Sequence, residues 1–229
     1  MKAMILAAGR GERMRPLTDT TPKPLLKAGG KPLILWAIAR LQRAGVTDLV
    51  VNVSHLAGQI EQALGNGTTY NVRITYSFEQ EALETAGGIA WALPLLDEQP
   101  FLVVNSDVYS DYDFAALAAR AQTLTARQPA HLVLVNNPAH HPQGDFGLRD
   151  GVVVAVEPRQ TFSGIGAYHP ALFAGITRGD KARLAAQLAQ AIAEGRVSGE
   201  HFRGVWNDVG TPARLAQLDA RLTSCPPAL

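Results

Sequence analysis

The chain has 229 residues, which is enough for one large α/β domain or two small ones with a substantial core. Its 21 Lys and Arg against 20 Asp and Glu argue against a general nucleic-acid or membrane-surface protein, because such binding needs a basic excess. A single cysteine, Cys225, allows no intrachain disulfide, and no apolar run has the length of a signal-peptide core or a membrane span, so we expect a cytoplasmic protein.

Short apolar runs alternate with amphipathic patterns along the first 136 residues. The runs predict strands at Lys2–Ala8, Asp48–Val53, Val72–Phe78, Phe101–Asn105 and His131–Val135. The patterns between them predict helices at Leu33–Ala44, Ala57–Leu64, Gly87–Leu96 and Phe114–Arg127. Apolar strands separated by helices indicate an α/β fold with a mainly parallel sheet covered on both faces. Such a sheet binds its ligand beyond the carboxyl ends of the strands.

The pattern changes after Asn136. Turn signals there are followed by short extended pieces at Phe146–Arg149, Val152–Val156 and Ile165–Tyr168. They predict a β-rich lobe that faces the first half. Two more helices are predicted at Ala182–Ala193 and Pro212–Leu222, the second with Thr211 as its N-cap. We therefore predict one domain over residues 1–229, divided into halves at 1–136 and 137–229.

The most informative segment is the loop that follows the first strand. It reads L-A-A-G-x-G-x-R-M-x-P-L-T and then P-K-P-L-L over residues 6–26. Glycines let backbone N–H groups approach an anion closely, and Arg13, Arg15 and Lys23 would offset polyphosphate charge. The dinucleotide fingerprint does not fit, because it needs glycine where Met14 stands. The alternative is a basic surface loop after a buried strand.

Two aspartates are candidates for binding a metal. Asp107 follows the apolar strand before it, and Asp208 lies in W-N-D-V-G-T-P. An aspartate at the end of a buried parallel strand points into the ligand crevice, where Mg²⁺ bridging phosphates needs one or two carboxylates. A helix cap or turn for Asp107, and an Asx-turn before Thr211 for Asp208, are the alternatives. The adjacent residues His140 and His141, in a Pro-flanked loop, are expected to be solvated.

A third candidate stretch, Glu84-Thr85-Ala86-Gly87-Gly88, precedes a helical run, with Glu79 five residues upstream of Glu84. Its small residues would leave the N–H groups of a helix N-terminus open to a base or a phosphate. A threonine N-cap with loop glycines is the alternative.

The opening motif, together with these stretches, resembles the sugar-1-phosphate nucleotidyltransferases, and the resemblance extends from Ala3 to Leu218. It implies a Rossmann-like fold and Mg²⁺-dependent transfer of a nucleotidyl group from an NTP to a sugar 1-phosphate, with release of pyrophosphate. Many relatives carry a C-terminal left-handed β-helix. Only a few residues follow Leu222, so we do not expect that extension or a second acyltransferase activity.

The resemblance also implies roles for individual residues. Four would be catalytic, the two aspartates by holding Mg²⁺ and the two cations by holding the triphosphate: Asp107, Asp208, Arg13 and Lys23. The nucleotide contacts would be Ala8, Gly9, Gly11, Glu12, Arg13, Lys23, Glu79, Thr85 and Gly87. The sugar contacts would be Asn105, Asp145, Gly147 and Glu157. The chain departs from the family at Glu84, where relatives have glycine, and at Pro158, where most relatives have a lysine that meets the sugar phosphate.

Several segments indicate a subgroup. N-S-D-V, G-D-F-G, T-F-S-G-I-G and G-D-K…R-V-S-G look closest to bacterial N-acetylmuramate 1-phosphate uridylyltransferases of cell-wall recycling. That likeness implies UTP and N-acetylmuramate 1-phosphate as substrates. Glucose- or mannose-1-phosphate enzymes are the alternatives within the family. Another is an inactive relative that binds a nucleotide-sugar and regulates a partner, although both aspartates, Arg13 and Lys23 are retained.

Overall fold

The computed structural model describes residues 1–225, so the last four residues of the predicted domain lie outside it. The strands are Lys2–Leu6 (β1), Lys27–Ala28 (β2), Lys31–Pro32 (β3), Asp48–Val53 (β4), Arg73–Phe78 (β5), Phe101–Asn105 (β6), Val108–Ser110 (β7), Ala130–Val135 (β8), Phe146–Arg149 (β9), Val152–Val154 (β10), Arg159–Tyr168 (β11), Val197–Phe202 (β12) and Trp206–Asp208 (β13). The α-helices are Leu33–Arg43 (α1), Ala57–Leu64 (α2), Glu84–Leu96 (α3), Phe114–Ala121 (α4), Leu184–Ala193 (α5) and Pro212–Ser224 (α6).

Nine of these strands form one sheet in the order β5-β4-β1-β6-β11-β8-β12-β10-β9. The first four run parallel, as predicted. Strand β11 is antiparallel to both β6 and β8, whereas β12 is parallel to β8. The predicted α/β fold class is confirmed. Its β-rich second half continues the sheet of the first half, which makes the sheet mixed beyond β6.

Helices cover both faces of the sheet, and the alternation along β1 shows the two layers. Ala3 and Ile5 are buried on the face covered by α1, α2 and α4. Met4, between them, is buried on the face covered by α3 and α5. A strand that is apolar at every position is therefore buried on both sides. No helix among residues 1–225 combines the length and apolar character needed to cross a membrane.

Several predicted boundaries differ from the observed ones for local reasons. Strand β1 ends at Leu6 and not Ala8, because the Ala7 N–H donates to the Asn52 side chain at 2.8 Å and leaves the ladder. Helix α4 ends at Ala121, six residues early, where the Thr123 hydroxyl donates to the Arg120 carbonyl at 2.8 Å. Threonine bonded to the backbone in this way competes with helix continuation.

Strand β12 was not predicted at all. Its sequence V-S-G-E-H-F carries three polar side chains and a glycine, so it lacks the apolar signal of a buried strand. The glycine is required by packing, since a Cβ on Gly199 would lie 2.7 Å from the Val153 side chain. The polar residues are accommodated by partners, among them the Ser198 hydroxyl, which lies 2.9 Å from Nδ1 of the buried His131.

Helix α6 begins as predicted. The Thr211 hydroxyl caps it by accepting the Arg214 N–H at 3.3 Å, with Pro212 at the first helical position. The strand before it, β13, pairs antiparallel with β7. This two-stranded sheet brings the segment around Asp208 beside the segment that follows β6, and so joins the second half of the chain to the site described next.

Candidate active site

A cleft of about 740 Å³ opens at the carboxyl ends of β1, β4 and β6. Its position is the one expected for a ligand of an open α/β sheet. Except for one glycine from the loop before α6, its walls come from the first 107 residues. They are formed by Leu6, Ala7, Ala8, Gly9, Arg10, Gly11, Glu12, Arg13, Lys23, Pro24, Asn52, Glu79, Ala82, Glu84, Thr85, Asn105, Ser106, Asp107 and Gly210.

The loop after β1 is held in shape by a glycine and a buried anchor. Gly11 has φ +68°, and a Cβ there would lie 3.0 Å from the Thr18 methyl and 3.2 Å from the Lys23 Cβ. The Thr18 hydroxyl donates to the Gly11 carbonyl at 2.8 Å. Met14 is fully buried among α1, α6 and β7 residues. The position that breaks the dinucleotide fingerprint is therefore the anchor of the loop.

Lys23 and Arg13, the two cations of this loop, differ in their ion pairing. Lys23 forms an ion pair with Asp107 across the cleft. Arg13 makes no hydrogen bond or ion pair with residues 1–225, and its Nη2 lies 3.3 Å from the position that a Cβ on Gly210 would take. One positive charge already balances a carboxylate, and the other has no anionic partner at the cleft wall.

The two predicted metal ligands lie beside each other, because Asp107 directly precedes β7 and Asp208 is the last residue of its partner strand β13. Val209 N–H donates to the Asp107 carbonyl at 2.9 Å, and Asp208 is paired in register with Val108. Their side chains are 22% and 27% exposed. Two partly buried carboxylates are the protein donor set that Mg²⁺ typically takes when substrate phosphates and waters complete its shell. The pair thus fits Mg²⁺, although among residues 1–225 no group of three His, Cys, Asp or Glu could hold a metal.

Asp208 has two partners that the sequence did not indicate. Arg214 Nη1 donates to its Oδ2 at 2.6 Å, and His140 Nε2 lies 3.1 Å from its Oδ1. The two histidines of the Pro-flanked loop, which were expected to be solvated, are each 40% exposed, and His141 Nε2 also lies 3.1 Å from Asp145 Oδ1. Both remain partly exposed, and each contacts a carboxylate.

Glu79 is buried at the opposite end of the cleft, and both its oxygens are engaged by the protein. Oε1 accepts from Asn52 Nδ2 at 2.6 Å, and Oε2 accepts from the Leu83 N–H at 2.9 Å. Burial raises the pKa of the carboxyl above its usual value, against the opposing effect of these two hydrogen bonds. Glu79 therefore links β4 to the segment before α3, and each of its oxygens keeps a second lone pair with which it can accept a hydrogen bond.

Asn52 is a further residue of this site that the sequence analysis missed. It bridges the end of β1 to Glu79, since its Oδ1 accepts the Ala7 N–H while its Nδ2 donates to Glu79. The available signal was an asparagine inside the apolar strand D-L-V-V-N-V. Gly88 leaves room for this bridge, because a Cβ there would lie 2.6 Å from Glu79 Oε1.

The N–H groups at the N-terminus of α3 were predicted to be open to a base or a phosphate, but two of them have partners within the protein. The N–H groups of Ala86 and Gly87 donate to the Ala182 carbonyl at 2.9 and 3.1 Å. Gly87 faces that segment and not the cleft, since a Cβ there would lie 2.4 Å from the Asp180 carbonyl oxygen. Of this stretch, Thr85 and Glu84 line the cleft. The helix therefore contributes side chains to the cleft, while these two amides are used by the loop before α5.

Glu84 has φ +63°, a backbone conformation that favours glycine. Replacing it with glycine is expected to raise the free energy of unfolding by about 0.5–1 kcal/mol, because the relief of strain exceeds the added entropy of the unfolded chain. The ion pair it would lose, 3.9 Å from Arg183 and largely exposed, contributes little.

Urea denaturation measures this change, with Glu81→Gly as the matched control. Glu81 is also exposed and paired, with Lys181, and its φ is not in the left-handed region. The control should be neutral or destabilised. Equal effects of the two substitutions would contradict the assignment of strain to Glu84.

The predicted sugar residues do not converge on the cleft, with one exception. Asn105 lines it at the end of β6. Asp145 uses both oxygens within the protein, for His141 and for the Phe162 N–H at 2.8 Å. Gly147 is packed between strands, since a Cβ there would lie 2.2 Å from the Val156 carbonyl oxygen. The Glu157 side chain is 76% exposed and outside the cleft.

The chain is similar to several known proteins. The family model described as nucleotidyl transferase matches residues 2–151. The chain is 55% identical over 225 residues to the N-acetylmuramate alpha-1-phosphate uridylyltransferase of Neisseria meningitidis, covering 96% of this chain and 97% of that one. It is 35% identical over 223 residues to the mannose-1-phosphate guanyltransferase of Schizosaccharomyces pombe, covering 93% of this chain but only 61% of that longer protein.

Solved structures share the fold. A Bacillus anthracis structure assigned as a glucose-1-phosphate thymidylyltransferase, in complex with sucrose, superposes with a TM-score of 0.87 at 21% identity, over 100% of this chain and 98% of that one. HddC from Yersinia pseudotuberculosis, complexed with GMP-PN, superposes with a TM-score of 0.80 at 19% identity, over 96% and 99% of the two chains. At these identities the likeness concerns the fold alone.

Proposed function

The chain belongs to the nucleotidyl transferase family, and we propose that it transfers a uridylyl group from UTP to N-acetylmuramate 1-phosphate, forming a UDP-sugar and pyrophosphate. The observation that carries the proposal is the cleft itself, which is lined by a glycine-containing loop and by Asp107, with Asp208 beside Asp107 on the paired strand. Arg13 of this loop has no hydrogen-bond or ion-pair partner among residues 1–225. The similarity to the Neisseria uridylyltransferase, which extends over nearly the whole of both chains, supports the choice of substrates.

We assign the metal to the two aspartates and the triphosphate to the loop. Asp107 and Asp208 would hold Mg²⁺, which when bound supplies charge neutralisation between the phosphates of the two substrates. The backbone of residues 8–12, with Arg13 and Lys23, would bind the triphosphate. Lys23, now paired with Asp107, would be released from this carboxylate to bind phosphate oxygens.

The reaction proposed is a direct displacement. A phosphate oxygen of the sugar 1-phosphate forms a bond to the α-phosphorus of UTP, while the bond from that phosphorus to the bridging α–β oxygen breaks. Pyrophosphate leaves with the bonding electrons, and no covalent enzyme intermediate is needed. The work of this chain is to position the substrates and to neutralise their charge, which Arg13 and Lys23 at the cleft can do.

We further propose that residues 1–136 bind the nucleotide and residues 137–229 the sugar, in a single domain. The continuous sheet through both halves and the placement of most cleft residues in the first half support this division. We propose that Thr85 contacts the base of the nucleotide. Glu79 would fix the shape of the cleft beside it, through its hydrogen bonds to Asn52 and Leu83. A role in peptidoglycan recycling in the cytoplasm follows from the proposed substrate, and the lack of any possible intrachain disulfide is consistent with a reducing compartment.

The proposed sugar, N-acetylmuramate 1-phosphate, has a feature that the protein can recognise. Muramic acid carries a lactyl ether with a carboxylate, so its phosphate ester has an extra negative charge that a basic side chain of the second half can recognise. Arg149 and Arg159, on β9 and β11, are the candidates. A charge-assisted contact of about 1.5–3 kcal/mol corresponds to roughly 10–150-fold in discrimination.

We therefore expect kcat/KM with UTP to be at least about tenfold higher for N-acetylmuramate 1-phosphate than for N-acetylglucosamine 1-phosphate or glucose 1-phosphate. Pyrophosphate release with each sugar measures this ratio. Alanine at whichever of Arg149 and Arg159 binds the carboxylate should bring the ratio towards one. Mannose 1-phosphate with GTP is the second candidate pair, favoured by the 35% identity to the Schizosaccharomyces guanyltransferase. A higher kcat/KM with mannose 1-phosphate and GTP than with N-acetylmuramate 1-phosphate and UTP would overturn the proposed substrates. The proposed class of reaction would still hold.

A further inference from the structure

Two guanidinium groups converge on one point of the cleft wall. A Cβ built on Gly210 would lie 2.1 Å from Nη2 of Arg214 and 3.3 Å from Nη2 of Arg13. Gly210 lines the cleft. Arg13 reaches this point from the loop after β1, and Arg214 reaches it from the first turn of α6. Two positive charges held this close repel each other unless an anion lies between them, and paired guanidinium groups match phosphate oxygens in geometry.

Arg214 uses one of its two terminal nitrogens in contacts with residues 1–225. Its Nη1 donates to Asp208 Oδ2 at 2.6 Å and lies 2.5 Å from Nε2 of His140. Its Nη2, the nitrogen beside Gly210, has no acceptor among residues 1–225. The side chain is 17% exposed, so the carboxylate holds the guanidinium at the wall with a donor left over. An arginine in this arrangement is oriented to bind a second acceptor.

The origin of Arg214 indicates which phosphate that acceptor is. The loop after β1 already supplies Arg10, Arg13 and the Lys23 ammonium to its own side of the cleft. Arg214 comes from α6, and its partner His140 comes from the loop between β8 and β9, so both belong to the second half of the chain. It therefore stands on the side of the second half of the chain, which we have proposed to bind the sugar.

We propose that Arg214 binds the phosphate of the sugar 1-phosphate through Nη2 while Asp208 orients it through Nη1. This inference rests on the proposed transfer reaction. The attacking phosphate is a dianion that must approach an anionic triphosphate, so a fixed cation on the acceptor side lowers their repulsion. Arg214 and Arg13 would hold the two phosphates from opposite sides of the point above Gly210.

The test separates the two substrates by steady-state kinetics of Arg214→Ala. KM for the sugar 1-phosphate is expected to rise roughly 10–100-fold, the effect of losing one hydrogen bond between charged groups. KM for UTP, and KM for pyrophosphate in the reverse reaction, should stay within about twofold, because those ligands lie on the loop side. Arg221→Ala, an exposed arginine two turns further along α6, is the matched control and should change none of the three.

A second variant displaces the guanidinium without removing it. A methyl group on Gly210 would overlap Nη2 of Arg214, the free end of a flexible side chain, and Gly210 does not have a left-handed φ. Gly210→Ala should therefore still fold, because a side chain and no backbone has to move, and should raise KM for the sugar 1-phosphate. Arg214→Lys retains the positive charge but not the two-pronged guanidinium group. Its KM for the sugar 1-phosphate should lie between those of Arg214→Ala and the wild type.

A purely structural role for Arg214 would give a different pattern. If Arg214 only orients Asp208, Arg214→Ala would shift the half-saturating Mg²⁺ concentration and kcat and leave KM for the sugar 1-phosphate unchanged, which would overturn the proposal. A rise in KM for UTP equal to that for the sugar phosphate would overturn it too, by placing Arg214 on the triphosphate. Failure of the wild-type protein to transfer to any sugar 1-phosphate would instead remove the proposed function, and this inference with it.

Discussion

Replacing Asp107 or Asp208 by alanine is expected to lower turnover by at least about 10³-fold while the fold survives. The reason is that Mg²⁺ held by these carboxylates would contribute several kcal/mol of charge stabilisation in the transition state, and each 1.36 kcal/mol is a factor of ten. Asp107→Ala also leaves the Lys23 ammonium without its partner, and Asp208→Ala leaves Arg214 and His140 without theirs.

The matched control is Asp48→Ala. Asp48 lies at the opposite end of β4 from the cleft, in an exposed ion pair with Arg73 at 2.7 Å. Its loss should change neither turnover nor, beyond a few tenths of a kcal/mol, stability. Initial rates over a Mg²⁺ titration, together with melting curves, separate a lost metal site from a lost fold. Turnover near that of the wild type at saturating Mg²⁺, in either cleft variant, would refute the assignment.

Removing the cations of the loop should have the next largest effect. Lys23→Ala and Arg13→Ala are each expected to lower kcat/KM by roughly 10²–10³-fold, which is about the loss of one preorganised electrostatic contact. Arg13 makes no bond or ion pair with residues 1–225, so its substitution should leave the melting temperature unchanged. Lys23 is paired with the partly buried Asp107, so its substitution should also lower stability.

Lys27→Ala controls for the charge change. Lys27 is exposed on β2, close in sequence to Lys23 but outside the cleft. Its kcat/KM should match that of the wild type. If Lys23→Ala altered only the melting temperature and not kcat/KM, the loop would be structural and the interpretation of its motif would fail.

What could be predicted from the sequence is local in origin. The loop after β1 was predictable because its glycines and cations lie in one short segment, between Gly9 and Lys23. Eight of the nine predicted nucleotide contacts line the cleft, all but Gly87. The parallel strands of the first half follow from apolar runs, and the start of α6 follows from Thr211 and Pro212.

What could not be predicted depends on contacts between distant segments. The α3 N-terminus is closed by the carbonyl of Ala182, and Glu79 is engaged by Asn52 from another strand. The carboxylate of Asp145 contacts the His141 ring and accepts a hydrogen bond from the Phe162 N–H, and so binds within the protein where a ligand was expected. In each case a residue type suited to ligand binding found its partner within the protein, and a single sequence carries no signal for such pairings.

Glu84 departs from the family pattern in its side chain and not in its backbone conformation. The sequence identified this residue as standing where relatives have glycine, and the structure gives it the positive φ that glycine adopts without strain. The fold therefore keeps the backbone geometry while the side chain adds a carboxylate to the cleft wall.

The most direct test of the account is to measure pyrophosphate and nucleotide-sugar together, over a matrix of the NTPs and several sugar 1-phosphates in the presence of Mg²⁺. We predict that the two products form in equal amounts, fastest with UTP and N-acetylmuramate 1-phosphate, and that neither forms with Asp107→Ala. A protein that binds nucleotide-sugar but releases no pyrophosphate from any pair would be a regulatory relative, and that result would contradict the account.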